Sequence, residues 1–335
     1  MAKKKKSRQH YSGIGGQAVL EGVMMKNRNM YAVAVRKPDQ DIEVEIDEYH
    51  SIAEHTILEK IPFVRGIFVF IDSLVLGLRS LNFSSQFYED EDAEPTKLDK
   101  ALDRISGGNG EKILMAFTMV ISFLLAIALF VVVPYYAADR LSSYVRNTSL
   151  MAIIEGVIRL VIFLLYLWAI TAMKDIRRLY QYHGAEHKCI NCVERGRMLT
   201  VENVRRSKRF HKRCGTSFLL FVILVSIVLF FFIRVESRPM RLLLRILLIP
   251  VIAGISYEFI RLAGRSDNAV VRILSAPGLW LQHLTTKEPD DDMIEVAIAS
   301  VEAIFDWRKY LRNEFGYSEE ELDAREPDEQ VQTGI

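Results

Sequence analysis

The chain has 335 residues, half of them apolar, with 43 Lys and Arg against 42 Asp and Glu. That length allows two or three domains, and three cysteines are too few, and too odd a number, for a disulfide framework. The formal charge of +1 hides local blocks: Lys3 to Lys6 with Arg8, twelve Lys and Arg against four Asp and Glu from Lys174 to Ser217, and acidic runs at 89–94 and 288–292.

Residues 1–12 read as a basic disordered tail. The tail runs into polar, Gly-rich sequence and not into an apolar core with a cleavage site, so no secretory signal is expected. Residues 13–60 predict a small β-rich cytoplasmic unit. In "YAVAVRKPDQDIEVEID" a turn signal at Pro38 to Asp41 separates two alternating runs, with Ile42, Val44 and Ile46 on one side and Glu43, Glu45 and Asp47 on the other. Gly13, Gly15 and Gly16 match neither GxGxxG nor a GK[ST] ending, so they are expected to be a flexible lead-in rather than a phosphate loop.

Within residues 61–87, Arg65, Asp72 and Arg79 recur at seven-residue spacing and lay a polar stripe on one helical face. An interfacial or re-entrant amphipathic helix is expected; a buried core helix would carry the same pattern. Residues 88–111 read as an acidic, Gly-containing linker.

Residues 112–286 predict a four-span membrane core, since about 20 mostly apolar residues cross a bilayer. The expected spans are Ile113 to Val133, Met151 to Met173, Gly215 to Ile233 and Leu242 to Ala263. The second carries Glu155 and Arg159, and the fourth carries Arg245, Glu258 and Arg261. Lys and Arg collect on cytoplasmic sides, so the basic tail, the 174–217 segment and both termini are expected inside. The loop from Pro134 to Leu150 and the one around Glu236 then face outward, although Arg234, Arg238 and Arg241 oppose this mildly. Residues 287–316 predict one amphipathic helix, begun by three aspartates and carrying Ile294, Ile298, Val301, Ile304 and Phe305 on its apolar face. Residues 317–335 read as a disordered tail.

The chemistry-bearing stretch is "YHGAEHKC", residues 182–189. His183 to His187 fit H-x-x-E-H, the inverted zinc-peptidase pattern. Residues four apart share a helix face, so both imidazoles can reach one ion. Glu186 is the expected general base, acting on a water whose pKa the ion lowers to roughly 7. Interfacial histidines at a helix end are the bland alternative. Candidates to complete the site are His211 and Cys214 in "FHKRCGT" and Glu258 in "ISYEFIRLAG". Continuing the second span as helix would lift His183 about 15 Å above Met173, so Glu258 reaches it only if that helix slides or bends. A closed structural Cys₃His site from Cys189, Cys192, His211 and Cys214 is the sharpest rival.

The "RSKRFHKR" belt suits anionic lipid headgroups. It lacks the aromatic or groove-reading elements of a nucleic-acid site, so no nucleic acid is expected. In "APGLWLQHLTTKEPD", Gln282, His283, Thr285, Thr286 and Glu288 either line a pocket near the ion or contact headgroups.

Six segments in order, "GGQAVLEGVMMKN", "IPFVRGIFVFIDSLVLGLRSL", "YHGAEHK", "RSKRFHKRCGTSF", "ISYEFIR" and "PGLWLQHLTTKEP", resemble the YqhQ-like bacterial membrane proteins, the domain of unknown function family 1385. The resemblance runs from Gly13 to about Phe305. It implies a metal-dependent enzyme of the bacterial cytoplasmic membrane, with His183, Glu186, His187, His211, Cys214 and Glu258 as candidates. The combined expectation is a mainly α, polytopic protein with a small N-terminal β-hairpin unit. It would act as a zinc-dependent hydrolase at the cytoplasmic interface on a membrane protein or lipid-linked substrate. The alternative is a non-enzymatic scaffold or regulator, with a structural zinc or no metal, that binds a protein partner or forms oligomers. A complete transporter is disfavoured, because four spans without repeats do not build one.

Overall fold

A computed structural model describes residues 9–88, 110–145, 147–233, 235, 237–265 and 268–323. The chain is mainly helical, with a small antiparallel sheet at its N-terminal end.

The sheet is a four-stranded meander, β1 (Ile14–Val19), β2 (Gly22–Asn27), β3 (Met30–Arg36) and β4 (Ile42–Glu48), ordered as in sequence. The predicted hairpin is its β3–β4 half, closed by Lys37 N–H to Asp41 O at 2.8 Å. Ile42 and Val44 pack inward as expected. Ile46 does not, being 51% exposed. The lead-in glycines are a correction: Gly15 and Gly16 lie within β1, opposite Lys26 and Met25.

Both faces of the sheet are covered, which is why β2 and β3 read as nearly continuous apolar runs. On one face α1 (Val64–Ser85) packs Leu76 against Val19, Met24, Tyr31, Val33 and Val35. On the other, Ile14, Val23, Met25 and Ala34 meet α5 (Lys174–Glu194) and α11 (Asp291–Ile304).

In α1 each charged residue of the polar stripe finds a partner within the protein. Asp72 accepts hydrogen bonds from the Tyr49 and Ser51 hydroxyls and from Ile52 N–H. Arg65 pairs with Glu258, and Arg79 lies over the Tyr49 ring. Ile71, Leu74, Leu78 and Leu81 are exposed instead. The helix thus buries Asp72 and Ser80 beside Leu76 and turns Ile71, Leu74, Leu78 and Leu81 outward.

Three helical stretches are long and apolar enough to cross a membrane: Ala116–Asp139, Ser149–Ile170 and Gly215–Phe232. A fourth is a pair, Pro239–Leu247 and Ile249–Gly264, bent by 41°. The first comprises α2 (Gly110–Ile127), a π-helical turn (Ala128–Val132) and α3 (Val133–Asp139). Pro134 has no N–H to offer Phe130 O four residues back. Arg159 Nε takes that carbonyl at 2.8 Å. The second is α4 (Thr148–Ile170), whose Asn147 caps Ser149 and Leu150 N–H. Its buried Glu155 is shared between Arg159 and Arg245. The third is α7 (Gly215–Phe232). The bent pair is α8 (Arg238–Leu247) and α9 (Ile249–Arg265), with Pro250 at the bend.

Two predicted boundaries shift. The second apolar helix stops at Ile170, and Thr171 to Met173 separate it from α5. Met173 is extended (ψ 132°), so no continuous helical column carries His183 upward. The single helix expected over 287–316 is two, because Phe305 is extended and Asp306 caps α12 (Trp307–Phe315) at Lys309 N–H. The remaining helices are α6 (Val201–Arg205), α10 (Ala269–Thr285) and α13 (Glu319–Asp323). α13 falls in the predicted tail, yet Leu322 is 2% exposed and Tyr317 OH donates to Gly196 O. At the other end, Gln9, His10 and Ser12 are tied to Glu194. Residues 1–8, most of the predicted linker (89–109) and 324–335 lie outside the described residues.

Candidate metal centre

The site is built on the half of α5 from Tyr182 to Glu194, nearly all of it buried. A glycine sets the approach of its neighbours: a Cβ on Gly184 would lie 2.0 Å from Lys287 O. That contact, with Lys287 N–H donating to Tyr180 O at 2.8 Å, lays the chain after α10 directly on α5. Thr285 O thereby accepts from His183 Nδ1 at 2.8 Å. The loop after α6 is held by Asn191, which donates to Lys208 O and Phe210 O. It brings Arg209 O to His187 Nδ1 at 2.6 Å. A carbonyl can only accept, so each Nδ1 carries a proton and each Nε2 is turned toward the interior.

There the two imidazoles converge, with ring centroids 4.4 Å apart. Cys214, which caps α7, brings Sγ to 3.3 Å from His183 Nε2 and 3.0 Å from Thr216 Oγ1. The potential donor atoms of His183, His187 and Cys214 all lie within 4.8 Å of one another. Tetrahedral zinc bonds of 2.0–2.3 Å would set donors roughly 3.3 to 3.6 Å apart, so a small inward movement closes the set. His187 Nε2 and Glu186 Oε2 are buried without any hydrogen-bond partner. Buried polar atoms are rarely left so, and His187 Nε2 sits in the donor group, where a cation would satisfy it. Two imidazoles and a thiolate, each histidine oriented by a carbonyl behind it, are a donor set suited to zinc.

The charges of the three side chains are coupled. Burial alone would raise the Cys214 thiol, but the His183 and His187 imidazoles hold it well below the usual thiol range. Burial would lower His183, yet Cys214 and then Glu186 raise it to about 9. Burial raises the Glu186 carboxyl against the pull of both histidines. Gly16 of β1 seals this corner: a Cβ there would sit 2.8 Å from Glu186 Cγ. That close approach is the reason for a glycine inside a strand.

The structure separates the remaining candidates. The His211 ring is 5.6 Å from that of His187, but its Nε2 faces Arg213 at 3.3 Å and Glu194 at 3.8 Å. Burial, with Arg213 beside it, lowers His211 to about 4. Its backbone is clamped by Gln282, which accepts from His211 N–H at 2.8 Å and donates to its carbonyl at 2.7 Å. Glu258 is not with the histidines; it binds Arg65 through two bonds of 2.6 and 2.5 Å. Cys189 and Cys192 belong to the apolar core, with Cys192 Sγ donating to Met198 O. Among the described residues, the four Cys₃His candidates do not form one donor group. Thr285, Thr286 and Gln282 are buried supports, whereas His283 is exposed and stacks on Phe210. Gly16 and the two orienting carbonyls carried no local signal in the sequence.

Residues 61–307 match the family described as "Protein of unknown function (DUF1385)". The chain belongs to that family. The matched stretch contains every donor named above and begins after the sheet. The chain is also 38% identical over 288 residues to "Uncharacterized protein YqhQ" of Bacillus subtilis (strain 168), covering 85% of this chain and 90% of that protein. No solved structure matches.

Proposed function

We propose that this member of the family is a multi-pass protein of the bacterial cytoplasmic membrane that holds zinc and hydrolyses a membrane-protein or lipid-linked substrate at the inner face. The observation that carries the reading is the buried, unpartnered His187 Nε2 in one donor group with His183 and Cys214, with Glu186, whose Oε2 is likewise buried and unpartnered, next to it in the chain. Zinc held by His183, His187 and Cys214 would supply a Lewis acid and an acidified water, and three protein donors leave a fourth position open, as catalytic sites do. Glu186 would be the base for such a water; its raised carboxyl suits a group that must also return a proton. Thr285 O and Arg209 O fix the imidazoles, and Gly16 lets β1 close over Glu186. The inside placement of both termini follows from the basic tail and the 174–217 segment.

The test is metal content of the purified full chain by mass spectrometry, with His183→Ala, Cys214→Ser, Glu186→Gln and Cys189→Ala/Cys192→Ala. The reading expects H183A and C214S to lose the ion. It expects E186Q to keep the ion but fail to complement a deletion strain, and the double cysteine variant to keep both. Loss of the ion in the double variant with retention in H183A would establish a structural site instead. Full complementation by E186Q would leave a scaffold.

A further inference from the structure

Beside the donor cluster, on the far side of His211, lies a cavity of about 880 Å³. Its lining is of two chemistries. Part of it is Arg195, Lys208 and Arg213, three cations beside the carboxylate of Glu194. That carboxylate is already engaged by Arg213 at 2.6 Å and by Gln9 and Ser12. Arg195 and Lys208 have no carboxylate partner among the described residues, and Arg195 Nε is buried with no hydrogen-bond partner. These two cations leave the hollow positively charged, which an anion would offset. Several guanidinium and ammonium groups converging on one hollow suit the oxygens of a phosphate.

The apolar part of the lining belongs to α10, through Ala276, Leu279 and Trp280. The outer side of that helix continues the apolar surface, with Val270 64%, Ile273 70% and Trp280 58% exposed. An exposed tryptophan on such a helix suits the bilayer interface. The Gln9–Tyr11 strap borders the hollow, with the Arg213 guanidinium 4.1 Å from the Tyr11 ring centre. The absence of a side chain on Gly264 gives Arg213 its passage, since a Cβ there would meet Arg213 Cδ at 2.5 Å.

We infer that this cavity binds the phosphate head of an amphiphile, whose apolar chain leaves along Leu279 and Trp280 of α10. The cationic part of the lining supplies charge-assisted hydrogen bonds to the head, and the α10 part gives the chain a surface continuous with the bilayer. A free phosphate would use the first part and leave the second unexplained. The inference narrows the lipid-linked branch of the proposed function but does not require the ion, so the two are tested apart.

The experiment is native mass spectrometry of the full chain in detergent, titrated with dioleoylphosphatidic acid, dioleoylphosphatidylcholine or inorganic phosphate. One dioleoylphosphatidic acid should bind in preference to the zwitterionic lipid. Arg195→Gln/Lys208→Gln should weaken it roughly tenfold to thirtyfold, at about fivefold for each basic group lost. Lys208 is exposed, so K208Q alone keeps the fold and should show its own share. Lys174→Gln/Arg177→Gln, removing two exposed charges elsewhere on the same basic segment, should leave binding within about twofold. Leu279→Asp should abolish lipid binding. Equal weakening by K174Q/R177Q would reduce the effect to diffuse attraction and overturn the inference. So would an R195Q/K208Q variant that binds as the parent does, or displacement of the lipid by millimolar inorganic phosphate. Repeating the titration after chelation separates the two readings. Lipid binding retained by protein that never held an ion sinks the hydrolase alone; a loaded protein indifferent to the lipid sinks this site alone.

Discussion

Replacing Gly184 by alanine tests how the donor cluster is assembled. The new Cβ would lie 2.0 Å from Lys287 O, a backbone atom that cannot swing aside. Relief requires the chain at 285–289 to lift off α5. Overpacking of this kind costs about 1–3 kcal/mol, and the Lys287 N–H to Tyr180 O bond adds about 0.5–1.5 kcal/mol if broken. Against this, alanine is a better helix former than glycine by about 1 kcal/mol. The net expectation is a loss of about 1–3 kcal/mol. The same movement pulls Thr285 O away from His183 Nδ1, and losing an orienting partner of a ligand weakens metal binding about 10- to 100-fold. Chemical denaturation and competition with a chromogenic zinc chelator read the two effects. Gly15→Ala is the control, because nothing lies within 4 Å of its Cβ position. A G184A protein that is as stable and binds zinc as tightly as its parent would refute the reasoning. So would a G15A protein that suffers equally.

Glu258→Gln should leave the metal content unchanged, since Glu258 is occupied by Arg65; a fall in zinc per chain would return it to the ligand set. Asp72→Asn should destabilise the protein by about 2–4 kcal/mol in denaturant titration, as three hydrogen bonds to a charged acceptor weaken together. It should also open residues 49–60 to protease. Glu194→Gln should cost about 3 kcal/mol at neutral pH, the low end for a broken buried pair because Arg213 keeps 17% exposure. Burial works against the Glu194 carboxylate, but His211 and Arg213 hold it well below the usual carboxylate range. Its contribution is therefore complete above an ordinary carboxyl value near 4.5 and is lost as pH falls below it. Melting temperature should accordingly fall less steeply in acid for E194Q than for the parent.

Local signals in the chain report local structure. The β3–β4 hairpin is legible because alternation and the Pro38–Asp41 turn reside in adjacent residues. The strand β1 is not, since two glycines argue against a strand until α5 presses on one of them. The paired histidines follow from helical spacing alone. The choice between His211 and Cys214, three residues apart on one loop, depends on the grip of Gln282 from 71 residues away. The spacing offers Glu258 either to the ion or to Arg261 at i+3; the nearer cation comes from Arg65, 193 residues distant. The break at Phe305 is a case where apolar periodicity ran past a cap signal at Asp306 that was available to read.

The interruption at Thr171–Met173 has a mechanical result. In the membrane reading, α4 tilts to match the thickness of its bilayer, while α5 is clamped between the sheet and the segments at Arg209 and Thr285. Three non-helical residues transmit little leverage from one to the other. In that reading His183 and His187 ride on the clamped element and not on the one that tilts.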